Sequence, residues 1–146
     1  MTSASTKTRQ QVETLLAKDA YAVSLGITVI DAAPGAVRVG MTVGADQLNF
    51  LGWAHGGVIF ALADTAFGLA SNSHATVSVG IDAHIAYLSG VREADVVEAQ
   101  ASEISRTRRK AVYRIDVTRP SDGAAIAAFT GTVYVTEQAL KDVVAG

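Results

Sequence analysis

The chain has 146 residues, 49% of them hydrophobic, which suits one domain with a core of its own. A net charge of −2 excludes a general attraction to nucleic acid or anionic membrane, and the absence of cysteine excludes a disulfide framework and fits a reducing, cytoplasmic setting. Charged residues make up only 18%, below the usual value of about 25%, so part of the surface is expected to be covered by other subunits.

Residues 1–5 read as a flexible tail. From Thr6 to Val23 the apolar positions Val12, Leu15, Leu16 and Tyr21 to Val23 recur at spacings of three and four, which predicts an amphipathic helix laid over the edge of the fold. Gly26 ends it. Ile27 to Asp31 reads as a strand, Ala33-Pro34-Gly35 as a turn, and Ala36 to Val43 as a second strand with Val37, Val39, Met41 and Val43 in alternation. A helix is predicted over Gly57 to Ala70. Strands follow over Ala75 to Leu88, Asp95 to Ser105, Ala111 to Thr118 and Ala124 to Val135, the last two joined by the hairpin signal Asp122-Gly123. Residues 137–146 read as a second flexible end. No apolar run reaches the 18 or so residues of a membrane span. One long helix and about six mostly antiparallel strands give an α+β fold in a single domain, with the sheet curled round the helix.

The central helix is apolar on almost every side (Val58, Ile59, Phe60, Leu62, Ala63, Ala66, Phe67, Leu69) and carries one carboxylate, Asp64, at its middle. A helix without a polar face is buried, and an ionised Asp inside it needs a partner or has a task. Just upstream stand an amide, Asn49, a ring, His55, and the Gly56-Gly57 pair, whose N–H groups lack intrahelical partners where the helix dipole is positive. Such an end can bind an anion or stabilise an oxyanion. Gly56 and Asp64 are eight positions apart, roughly 12 Å along a helix rising about 1.5 Å per residue. They cannot meet at one reacting atom within a chain, so joint action requires a two-fold dimer in which Gly56 of one subunit faces Asp64 of the other.

Leu48-Asn49, His55-Gly56-Gly57 and Leu62-Ala63-Asp64-Thr65-Ala66-Phe67 together resemble the hotdog-fold acyl-CoA thioesterases of the phenylacetic-acid-degradation (PaaI) type. The resemblance runs from Leu25-Gly26-Ile27 to about Val135. It implies a sheet wrapped round one long helix, pairing of two subunits, association of two such dimers into a tetramer, and hydrolysis of an acyl-CoA without a metal or redox cofactor, coenzyme A being part of the substrate. It assigns Asp64 as the nucleophile or as the base that activates water, and the Gly56 N–H as the donor to the thioester oxygen. Asn49 would orient the water or the acyl group, His55 would take part in chemistry or hold the loop, and Thr65 would hold the water or Asp64, or simply bond back into its helix. Phe50, Trp53 and Phe60 are candidates for an aryl pocket, pointing to phenylacetyl-CoA or its hydroxylated relatives.

Arg106, Arg108, Arg109 and Lys110 crowd a predicted hairpin tip and would suit the phosphates of coenzyme A. The segment Ile85-Ala86-Tyr87-Leu88-Ser89-Gly90 departs from the family, where Arg-Pro commonly follows the Leu. His74 and His84 form no metal-ligand motif and receive no role. Two other functions compete: a non-catalytic acyl-CoA-binding module, and a hotdog dehydratase or hydratase, against which His55 is followed by Gly-Gly-Val and not by an FPG-type loop.

Overall fold

The computed structural model describes residues 3–145. Six antiparallel strands form one sheet in the order β1-β2-β4-β5-β6-β3: β1 Thr28–Ala33, β2 Ala36–Thr42, β3 Thr76–Tyr87, β4 Val96–Arg106, β5 Lys110–Arg119 and β6 Ala124–Ala139. The long helix α3, Gly56–Ser71, packs against β2, β4, β5 and β3, which is the α+β arrangement expected from the sequence. Among the described residues no helix is long and apolar enough to cross a membrane.

The predicted N-terminal helix is two helices. α1 spans Ser3–Lys18 and so takes in residues expected to be a flexible tail; α2 spans Ala20–Ser24. Asp19 divides them, because its carboxylate accepts from the Ala22 N–H and caps a new helix where a single one was anticipated. Val12 and Leu16 of α1 are buried. Arg9 donates to the carbonyls of Val29 (3.3 Å) and Ile30 (2.7 Å), so α1 covers the β1 edge of the sheet as the periodicity suggested. The opposite edge, β3, stays open, with Val79, Ile81 and Tyr87 exposed along it.

Glycine sets how closely α3 approaches the sheet. The Phe67 ring stacks edge-on against Tyr113 and tilts against Phe129, with centroids 5.9 and 5.6 Å away. A Cβ at Gly131 would lie 2.7 Å from that ring, and one at Gly80 3.2 Å. A side chain at Gly131 would therefore force the ring to shift, and one at Gly80 would press on it, so glycine at these positions lets the helix lie low. On the far side α3 is not buried all round: Gly57, Asp64 and Gly68, spaced by seven and four, form an exposed stripe.

At the C-terminal end of α3, Glu103 of β4 accepts from Tyr113 (2.6 Å), pairs with His74 (2.9 Å) and lies 3.7 Å from Arg106. Burial works against its charge, but the Tyr113 and His74 hydrogen bonds and the nearby cations outweigh this and hold its carboxyl below the usual Glu range. β6 continues past the predicted Val135 to Ala139, and α4 spans Leu140–Val144. The polar Thr136-Glu137-Gln138 stretch looks unlike a strand; it forms an irregularity between the Val135–Ser78 and Ala139–Thr76 pairs, held by a Thr136 bond to the Val77 carbonyl (2.7 Å).

Candidate active site

The loop before α3 ends at His55, whose Nδ1 accepts from the Gly57 N–H at 2.8 Å while its own N–H donates to Gln47. His55 is therefore the N-cap of the helix. One consequence is that the glycine pair offers a single open donor. Gly57 is satisfied, and among the described residues the Gly56 N–H has no partner.

Gly56 opens on a recess of about 400 Å³ that it shares with Asn49, Ile59, Tyr87 and Gly90. Tyr87 donates to the Gly56 carbonyl at 3.0 Å, and its ring would stand 3.3 Å from a Cβ at position 56. The Asn49 carboxamide is fixed by a tight turn: its Oδ1 accepts from Leu51 (2.9 Å) and Trp53 (3.2 Å), with Gly52 at φ +82° completing the bend. Oδ1 is thereby occupied and Nδ2 is left as the donor. Trp53 packs over Gly90 beneath the Arg92 guanidinium, 4.1 Å from the ring centroid. Phe50, at the turn tip, is 95% exposed and touches neither cavity.

Asp64 opens on a different cavity, about 640 Å³, walled by α3, the α1–α2 junction, β3 and α4. Leu15, Phe60, Leu69, Val77, Leu140 and Val143 make it largely apolar; Asp19, Tyr21, Thr65, Asn72 and Ser78 are its polar members. Partial burial, and then the negative charge of Asp19, push the Asp64 carboxyl above its ordinary value. Thr65 bonds back to the Ala61 carbonyl at 2.7 Å and does not hold Asp64. Asn72 ties the end of α3 to β3, donating to the Ser78 carbonyl and accepting from the Ser78 N–H.

The structure thus groups the anticipated residues in two sets. Asn49 and Gly56 share one recess; Gly57, Phe60, Asp64 and Thr65 share the other cavity. The basic hairpin joins neither. Arg109 pairs with Glu137 at 2.6 Å, Arg108 lies 3.7 Å from the same carboxylate and Arg106 faces Glu103, while Lys110 has no carboxylate partner among the described residues. Two cavity residues went unrecognised in the sequence. Asp19 was legible as a cap within a supposed helix, whereas Tyr87 gave no signal, because its contact with Gly56 joins segments 31 residues apart. Among the described residues no cluster of three or more His, Asp and Glu side chains is placed to hold a metal.

The sequence profile of the Thioesterase superfamily matches residues 51–126. The chain is 42% identical over 118 residues, 81% of its length and 80% of the relative's, to a Deinococcus radiodurans protein provisionally named an esterase. It is 35% identical over 111 residues, 76% of its length and 79% of the relative's, to the acyl-coenzyme A thioesterase PaaI of Escherichia coli. The solved E. coli PaaI structure, from the phenylacetic acid degradation operon, superposes with a TM-score of 0.90 at 32% identity over 94% of this chain and 99% of that one. A Streptococcus mutans protein bound to acetyl-CoA superposes with a TM-score of 0.73 at 29% identity over 77% and 90% of the two chains. With this sequence similarity, the six-stranded sheet and its long helix, the chain belongs to the thioesterase superfamily, as a hotdog acyl-CoA thioesterase of the PaaI type.

Proposed function

We propose that this thioesterase hydrolyses an aryl-acyl-CoA, phenylacetyl-CoA or a hydroxylated relative, at sites built from two subunits, with Asp64 of one subunit facing Gly56 and Asn49 of the other. The observation that carries this reading is the division of the machinery. The open N–H and the carboxylate lie on one helix about 12 Å apart and face different cavities. The open β3 edge and the exposed Phe50 and Leu51 supply apolar surface for a partner, which supports a homodimer, with a dimer of dimers as its further assembly.

In this reading the thioester oxygen receives the Gly56 N–H at the positive end of α3, with Asn49 Nδ2 as a second donor; such a donor is worth about 10²–10³ in rate. Ionised Asp64 either attacks the carbonyl carbon, releasing the coenzyme A thiolate and leaving a mixed anhydride for water to cleave, or removes a proton from the water that attacks. His55 positions the Gly56 N–H by capping the helix, and Thr65 shapes the wall beside Asp64. The apolar walls, Phe60 included, support an aryl acyl group, and the relative that holds acetyl-CoA supports a coenzyme A ester as ligand. Of the basic hairpin, Lys110 and the exposed Arg108 are the cations proposed to meet coenzyme A phosphate.

The test is thiol release from aryl-, short-chain and long-chain acyl-CoA esters by native protein and by Asp64→Asn. Preference in kcat/KM for the aryl esters, and its loss in the variant, are expected. Turnover that survives Asp64→Asn would remove Asp64 from the reaction. Native protein that binds acyl-CoA but releases no thiol would point to a binding module.

A further inference from the structure

The Asp64 cavity combines apolar walls with charge of one sign. Among the described residues of this chain its ionisable lining residues are Asp19, Tyr21 and Asp64, and no cation lines it. Lys18, beside Asp19 in sequence, does not line the cavity, and its Nζ donates to the Val144 carbonyl at 2.6 Å. On α4, Lys141 and Asp142 are exposed and do not line the cavity, and β3 contributes only Val77 and Ser78 to its wall.

Asp19 has a structural task that explains its presence, capping α2, but that task uses one oxygen and needs no charge. Oδ1 accepts the Ala22 N–H at 3.0 Å, and an Asn at this position would cap about as well. The charge is therefore separable from the cap, and its effect falls on whatever occupies the cavity with Asp64. Like charges that line one cavity repel, and the repulsion persists, weakened, where both side chains keep contact with solvent.

We propose that Asp19 is a specificity-determining residue that bars acyl groups carrying their own negative charge from the Asp64 cavity, restricting this enzyme to neutral acyl-CoA esters. The inference rests on the assignment of Asp64 as the reacting carboxylate. An uncharged aryl or alkyl group meets Leu15, Phe60 and Leu140 without penalty. A dicarboxylic acyl group brings a second carboxylate against Asp19 with no cation of this chain's lining to offset it. The same repulsion acts on the free acid after hydrolysis and favours its departure.

The experiment compares hexanoyl-CoA with adipyl-CoA, a pair of similar length differing by one terminal carboxylate, for native enzyme, Asp19→Asn and Asp64→Asn. Native enzyme is expected to prefer hexanoyl-CoA by about tenfold in kcat/KM, the scale of one like-charge contact near a protein surface. Asp19→Asn, with its cap retained, is expected to close most of that gap and to move the acid limb of the hexanoyl-CoA pH profile to lower pH. Equal use of both esters by native enzyme, or an unchanged ratio in Asp19→Asn, overturns the inference. If Asp64→Asn keeps its turnover of hexanoyl-CoA, the assignment of Asp64 fails, and that outcome is distinct from a failure of Asp19.

Discussion

Replacing Gly131 by Ala tests how the fold positions its carboxylate. Gly131 is buried on β6 opposite Tyr113 of β5, and a Cβ there would lie 2.7, 2.8 and 2.9 Å from three atoms of the Phe67 ring. Carbon atoms rest at about 3.5–4.0 Å, so the ring has to retreat by roughly 1 Å. Tyr113 and Phe129 box it in, so the retreat is passed to α3. Overpacking of this kind costs about 1–3 kcal/mol, partly offset by the ~0.4–1 kcal/mol that Gly→Ala saves in unfolded-chain entropy. With an unfolding entropy of about 2.1 cal/mol/K per residue, a net loss of ~1–2 kcal/mol lowers Tm by roughly 3–7 °C. Asp64 lies one turn before Phe67, and a 1 Å displacement of a reacting group costs about 10²-fold in rate. Thermal unfolding and thiol release are measured on the same preparation. In the Gly131→Ala background, Phe67→Leu should cost less than it does alone. Gly131→Ala with native Tm and native turnover would refute the claim that glycine sets the helix-to-sheet distance.

Substitutions at three further residues separate site from scaffold. Glu103→Ala leaves the buried Tyr113 hydroxyl without its acceptor and Arg106 without its ion-pair partner, and should lower stability by about 1–3 kcal/mol, read as a fall in Tm. Since the folded-state pKa of Glu103 is depressed, its contribution is complete above the ordinary Glu range and fades as pH falls through the lower folded value, so the gap between native and variant Tm should narrow in acid. Asp64→Asn should act oppositely. Burial and Asp19 raise the Asp64 pKa, so the ionised carboxylate weakens the fold at neutral pH; the variant is expected to melt higher at pH 7 and no higher below the ordinary Asp range. His55→Asn preserves a cap for the Gly57 N–H and should keep most turnover, whereas His55→Ala should lose about 1 kcal/mol of stability together with activity. Loss of turnover in His55→Asn at unchanged Tm would mean that the ring itself takes part in the chemistry.

What the sequence made legible and what it hid divide along physical lines. The strands and α3 were readable because alternation and helical spacing reflect burial, and burial is shared by every core residue of an element. Asp64 stood out because a carboxylate in an otherwise apolar helix requires an explanation. The break at Asp19 was hidden because apolar spacing continues past it, although a lone Asp before Ala-Tyr-Ala is a fair capping signal. The extension of β6 over Thr136 to Ala139 was hidden because it is held by the Ala139–Thr76 pair and the Thr136 bond to Val77, and not by the propensity of its residues. Gly56 and Gly57 offer equivalent N–H groups by position and the family resemblance alone singled out Gly56; the physical difference is the His55 ring, which occupies the Gly57 N–H. The basic hairpin illustrates the same limit, since its carboxylates come from Glu103 and from the distant Glu137.

The shared site is tested most directly by subunit complementation. Asp64→Asn and Asn49→Ala are purified separately, shown to be inactive, mixed under conditions of subunit exchange and assayed for thiol release. In a mixed dimer one site carries both substitutions and the other carries neither, so an equimolar mixture at full exchange should recover roughly a quarter of native turnover. Verified mixed dimers with no recovered turnover would show that Asp64 and Asn49 act within one chain, contrary to the arrangement proposed here.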